Sequence, residues 1–295
     1  MKLRLLVLAL VAGLSAPAWA AKPIDETRPL DPRGRVEISN VKGRIEVRVW
    51  DKPEVHIGGS LGDGVERFEI EGDRNHLEID VRYPNNSGNS EPTTLLLKVP
   101  TLASLDIDGV AVDVDVSGTA GAQLDIDSVS GGVAVAGAPR RADIESVSGD
   151  LDLTLNTPEV SAQSVSGDIN LRGRLVNGEI DTESVSGSIE IDSRGERLRR
   201  VSASTVSGDM TIRASLADGG RIDTETVSGD VSIIMPKNLS ARVSGQSFSG
   251  DLEAPNANIN RAKYGPGADF EQSYGKGSGE IRMETFSGSA RLKLE

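Results

Sequence analysis

Eight times along its 295 residues the chain returns to a hydroxyl, apolar, serine, glycine core. The cores are Ser128-Val129-Ser130-Gly131, Ser146-Val147-Ser148-Gly149, Ser164-Val165-Ser166-Gly167, Ser184-Val185-Ser186-Gly187, Thr205-Val206-Ser207-Gly208, Thr226-Val227-Ser228-Gly229, Ser247-Phe248-Ser249-Gly250 and Thr285-Phe286-Ser287-Gly288. Successive glycines lie 18, 18, 20, 21, 21, 21 and 38 residues apart, and Asp usually follows, as at Asp150, Asp168, Asp209, Asp230 and Asp251. A period this short means that each unit is too small to bury an apolar face alone and must stack on its copies. The 38-residue interval reads as two periods from which one motif has been lost.

Within a unit the apolar residues alternate. Leu151, Leu153 and Leu155 fall on one side of a strand, and Asp150, Asp152 and Thr154 on the other. Ile144 and Val147 differ in parity, so taking both as inward requires a bend at Glu145-Ser146. The motif valine is therefore placed inside, the glycine where the backbone needs positive φ or close approach, and the following Asp as an acceptor for a backbone N–H. Repeated Ser and Thr are expected to form hydroxyl ladders near the bends. No stretch sustains a 3.6-residue apolar period, and Thr, Val, Ser and Gly are poor helix fillers. The reading is an all-β chain, a single-stranded β-helix or β-solenoid of 18–21-residue coils. Eight or nine coils at about 4.8 Å make a rod roughly 40 Å long. A β-propeller is the alternative, with two units per four-stranded blade; its odd and even units should differ, and they do not.

Residues 31–110 hold related but irregular strands, including Arg35 to Trp50 with Asn40-Val41-Lys42-Gly43 as a degenerate core. They are read as an N-terminal β cap continuous with the repeats, which occupy 111–295; terminal units of a stack must differ to stop end-on growth. Residues 254–278 break the pattern. Because loops on a rigid scaffold often carry contacts, Tyr264, Phe270 and Tyr274 are candidate contact residues there.

Lys2 and Arg4, the apolar run Leu5 to Leu14 and the small-residue site at Ala18-Trp19-Ala20 make residues 1–20 a secretory signal peptide, followed by an extension over 21–30. The expected destination is the periplasm or outside the cell. The run Leu5 to Leu14 is far shorter than the roughly 20 residues that span a bilayer as a helix, and no second apolar run approaches that length. There is no cysteine, hence neither a disulfide framework nor an N-terminal lipid anchor on cysteine. Without Lys2 and Arg4 the chain carries 30 basic against 45 acidic residues, which disfavours nucleic acid as a partner and leaves room for divalent cations or a basic partner.

Catalytic signatures are lacking. No Gly-x-Ser-x-Gly elbow precedes a helix and no phosphate loop occurs. The only histidines, His56 and His76, are read as ordinary strand residues. No cofactor or metal site is assigned. Acidic pairs two apart, such as Asp125 and Asp127 or Asp150 and Asp152, are expected to line up as carboxylate rows across stacked units. Such rows are read first as a solvated face, then as a weak cation site, although the Gly-Gly-x-Gly-x-Asp calcium repeat is missing.

The Asn40-Val41-Lys42-Gly43-Arg44-Ile45 segment with Trp50, the Leu97-Lys98-Val99-Pro100 approach and the serial Ser-Val-Ser-Gly-Asp cores resemble the bacterial β-strand-repeat family called putative adhesins, over about residues 31–294. The resemblance implies an exported, solenoid-like protein and carries over no catalytic residue. The expectation is an exported, non-enzymatic structural or interaction protein of the cell envelope, with a protein or glycan partner. A carbohydrate-active β-helix enzyme, needing two carboxylates about 5–9.5 Å apart in a groove, and a calcium-stabilised scaffold are the alternatives.

Overall fold

A computed structural model describes residues 22–84, 90–261, 263 and 266–295. The signal peptide read over 1–20, and Tyr264, lie outside the described residues. The chain is all-β and built of repeated sheet units, as the alternation requires. Each unit contributes one strand to each of two parallel ladders.

The first ladder runs in space through His76–Arg82, residues 35–40, 104–111, Gln123–Ser130, Arg141–Ser148, Glu159–Ser166, Glu179–Ser186, 200–207, 221–228, Gly279–Ser287 and Ala241–Ser249. The second runs through Thr93–Pro100, residues 43–50, 112–117, Val133–Gly137, Leu151–Leu155, Ile169–Arg172, 189–192, 210–213, Val231–Met235, Ala290–Leu294 and Leu252–Glu253. Inward residues of both ladders, such as Leu124, Ile126, Val133 and Val135 in one unit and Ile180, Ile189 and Ile191 in another, form one continuous core. Each buried Leu, Ile or Val stabilises by about 1.5–3 kcal/mol relative to exposure.

At both ends the order in space departs from the order in sequence. Residues 35–50 sit inside the unit made by His76–Arg82 and Thr93–Pro100. At the other end, the last unit in the chain, Gly279–Ser287 and Ala290–Leu294, is inserted between 221–235 and Ala241–Ser249. The 38-residue interval therefore holds no lost unit. It is an excursion, 254–278, that includes Asn260–Arg261 and Ala268–Tyr274, the latter pairing antiparallel with Ala241–Ser249. The opposite end is covered likewise: Arg67–Gly72 lies antiparallel on His76–Arg82, and Glu54–Leu61 on Thr93–Pro100. Lys22–Pro29, read from sequence only as an extension, is an edge strand on Glu54–Leu61. Antiparallel strands reverse the edge pattern and keep a further parallel unit from adding in register.

The motif residues divide the work of stacking. Glycines form a column in which a Cβ on any one would strike the carbonyl oxygen of the next: at Gly208 it would lie 2.1 Å from Gly187 O, at Gly288 2.0 Å from Gly229 O and at Gly250 1.9 Å from Gly288 O. Close approach is the common cause; at Gly208 no positive φ is involved. The Asp that follows bonds unit to unit. Asp150 Oδ1 accepts from Asp168 N–H (3.0 Å), Asp168 Oδ1 from Ser188 N–H (2.8 Å), and Asp230 Oδ1 from Ser289 N–H (2.8 Å), the last joining 221–235 to the inserted unit.

Candidate functional site

The sequence reading turns the motif valine inward; the structure turns it out. Alternation continues unbroken from Ile144 (in) through Glu145 (out) and Ser146 (in) to Val147 (out). No bend intervenes. The inward slot adjoins the glycine column: Ser184 Oγ lies 3.1 Å from where a Cβ on Gly187 would stand. Parity puts a hydroxyl residue in that slot in each repeat, and Ser128, Ser146, Ser164, Ser184 and their threonine equivalents are buried. They form the expected hydroxyl column, but Ser128, Ser146, Ser164, Ser184 and Thr226 have no hydrogen-bond partner among the described residues.

Outside, the consequence is an apolar row. Val110, Val129, Val147, Val165, Val185, Val206 and Val227 are 46–49% exposed, and the row ends on Phe286 (55%) and Phe248 (49%). The two rings stack with centroids 4.6 Å apart and planes 7° from parallel, in the offset-stacking range. Most of the large exposed hydrophobic side chains lie in this row. Nine side chains at the inter-strand spacing extend roughly 40 Å. A contiguous apolar strip rimmed by polar groups marks an interaction surface far better than scattered exposed residues do. Counting parity straight through Ile144 to Val147 would have found it; the assumption that an apolar residue belongs inside hid it.

An open groove of about 960 Å³ follows the row from Val41 and Arg82 to Val227. A second hollow of about 720 Å³, lined by Phe248, Phe286, Arg261 and Asp269, adjoins it and shares Glu225 and Val227. One wall of the groove is a carboxylate row, Asp108, Asp127, Glu145, Glu183 and Glu225, interrupted by Gln163 and Ser204. Arg35 anchors the neighbouring row at one end, bonding Asp106 and Glu37 and approaching Asp125 at 4.0 Å. Partial burial, then like-charged neighbours, pushes the carboxyl groups of Asp108 and Asp127 above the ordinary value of 3.8. Burial also raises Asp125, partly offset by the Gln123 hydrogen bond.

A raised carboxyl pKa means that ionised Asp127 costs stability at neutral pH. That cost disappears as pH falls through the raised pKa towards the unfolded chain's value. Asp127→Asn is accordingly expected to be more stable than the parent at pH 7 by roughly 0.2–1 kcal/mol. The gain should shrink near pH 3.5, where protonation removes the charge, and by less in 1 M salt, which screens the repulsion but leaves the cost of burial. Thermal unfolding of both proteins over that pH series checks it; a gain that persists at pH 3.5 would point to packing instead.

The residues proposed from the broken part of the repeat fare differently. Phe270 is a correction: it is 2% exposed and packs over Gly245, so its ring has no free face for a partner. The core slot shared by Ile126, Ile144, Ala162 and Met283 is empty at Gly245, and Phe270 fills it from the covering strand. Tyr274 is half-buried, its hydroxyl donating to Pro255 O at 2.6 Å. His56 lies on a covering strand beside Trp50 and Asp25, and His76 opens a first-ladder strand with Nε2 3.0 Å from Glu37. Among the described residues no group of three or more His, Asp or Glu converges as a metal ion would require. Among them, too, no helix is long and apolar enough to cross a membrane.

Units in tandem, a hydroxyl column inside and a glycine column at the corner are features that a family comparison can test. The family description Toastrack DUF4097 matches residues 34–221. The chain belongs to this family. The match takes in the inserted N-terminal unit and most of the regular repeats. Among solved structures, one from Parabacteroides distasonis, described as a putative lipid binding protein, is similar at a TM-score of 0.52 and 12% identity, over 92% of this chain and 96% of that one. One from Bacteroides fragilis, described as a putative adhesin, gives a TM-score of 0.44 and 14% identity over 92% and 98%. Another from Parabacteroides merdae, also described as a putative adhesin, gives 0.37 and 9% over 92% and 96%. The first likeness concerns the fold alone. No curated protein matches.

Proposed function

We propose that this protein is an exported, non-enzymatic interaction module of the bacterial cell envelope, a β-solenoid rod that docks an elongated partner along its valine row. Parallel pairing at the single-unit period supports the solenoid over a propeller, because a blade uses up two units in four strands. Residues 1–20 supply the export signal, and 31–110 with the covering strands close one end of the rod. The reading rests above all on the continuous exposed row of Val129, Val147, Val165, Val185, Val206 and Val227. Outward valine at one position of every unit leaves about half of each side chain in water, and a partner laid along the row gains a small contact from each unit. The similar Parabacteroides distasonis structure is described as a putative lipid binding protein, which names binding and no reaction.

A photo-activatable residue tests this in the native envelope. Placed at Val165, on the row, it should capture a discrete envelope component. Placed at Thr154, exposed on the second ladder, it should not. Equal capture from both positions, or none from either, would overturn the reading.

A further inference from the structure

The valine row has a spacing and a charged flank, and together they select the shape of what lies on it. Successive valines stand one unit apart, about 4.8 Å. Along an extended strand, side chains on one face recur at roughly 6.8 Å, which falls out of step with the valines after a single pair. A helix laid along the rod presents its apolar stripe once per 5.4 Å turn. The slip is about 0.6 Å per turn, so some four turns pass before it reaches half a unit. The flanks are unlike. Asp127, Glu145 and Glu183 run along one side of the row, and the exposed Ser148, Ser166 and Ser186 along the other.

Building on the reading of the row as a docking surface, we propose that its occupant is an amphipathic α-helix of a partner protein, lying parallel to the rod axis, with an aliphatic stripe on the valines and Lys or Arg along one flank over the carboxylates. Helix-in-groove recognition of this kind reads anchors at i, i+3, i+4 and i+7. The charged flank sets the direction of the helix, because reversing it would move the cations over the serines. An anionic lipid surface is disfavoured by the same carboxylates, which repel its headgroups. The raised carboxyl pKa of Asp108 and Asp127 is consistent with a wall that gains from nearby cations.

The test uses two labelled peptides of about 18 residues, each with a leucine stripe, one carrying Lys along a single flank and the other Glu. Fluorescence anisotropy against the purified chain should show the Lys peptide binding at least about tenfold more tightly, with affinity falling as salt rises. Circular dichroism should show it becoming helical on binding. The triple variant Val147→Ser/Val165→Ser/Val185→Ser should lose about tenfold in affinity, and its melting temperature checks that it folds. Glu145→Gln/Glu183→Gln should weaken binding and flatten its salt dependence. Asp152→Asn/Glu190→Gln removes the same charge from the other ladder and should leave affinity within about twofold. An equal loss in that control would mean attraction to net charge alone, and would overturn the proposal; so would a bound peptide that stays non-helical. If the Lys peptide fails while Val165 still captures a discrete protein, glycan or lipid in the envelope, the helix falls and the docking row stands. Failure of both removes both.

Discussion

Gly208→Ala should cost about 3 kcal/mol and lower the melting temperature by roughly 6–12 °C. Its added methyl group would stand 2.1 Å from Gly187 O and 2.6 Å from the carbonyl carbon. Backbone, unlike a flexible side chain, cannot swing aside. The two units would have to part, straining the bonds from Gly187 N–H to Ser207 O (3.2 Å) and from Ile189 N–H to Asp209 O (2.9 Å). Gly132→Ala is the matched control. It lies next to the glycine column at Gly131, has no positive φ, and a Cβ there meets nothing within 4 Å. It should change stability by no more than about 0.5 kcal/mol. Equal effects at the two positions would show that chain entropy, rather than close approach, requires glycine in the motif.

Phe270→Ala should cost about 3–5 kcal/mol, although its surroundings in the sequence look like a loop. The ring fills the core slot at Gly245, where a Cβ would meet Phe270 Cε1 at 2.3 Å. Truncation leaves a cavity at the end of the core and frees Ala268–Tyr274 from Ala241–Ser249. Hydrogen exchange should localise the loss: amides of 241–249 should lose protection first, while those of 281–285, one unit further in, keep theirs. Uniform loss of protection would mean that the end unit does not open separately. A cost under about 1 kcal/mol would show that the slot collapses without its plug.

Both expectations bear on how a repeat sequence is read. Period-two alternation and the recurrence of Gly made the strands, the stacking and the close approach legible, because they reflect backbone geometry that every unit shares. The role of the Asp after each Gly was legible for the same reason. Orientation of the valine was not. Hydropathy favours an inward valine, parity an outward one, and the strand, held extended and in register by its neighbours in the ladder, follows parity. That register is set by pairing between neighbouring units, which no single unit records.

The order of the end units lay further out of reach. Gly229 and Gly250 are 21 residues apart, the same interval that separates neighbours elsewhere, so the spacing alone predicts that 241–253 stacks directly on 221–235. Parallel ladders accept either order, since Ile222, Ile281 and Val243 are interchangeable inward residues with matching register. Gly245 distinguishes the outer unit: its open core position is filled by Phe270 from the antiparallel covering strand, which needs a free edge on that side. By itself the sequence determined that the chain is a stack of β units closed by irregular ends. Only the tertiary structure decided which unit ends the stack and that an apolar row faces outward along it, because both depend on contacts between units that share one local pattern and differ only in their neighbours.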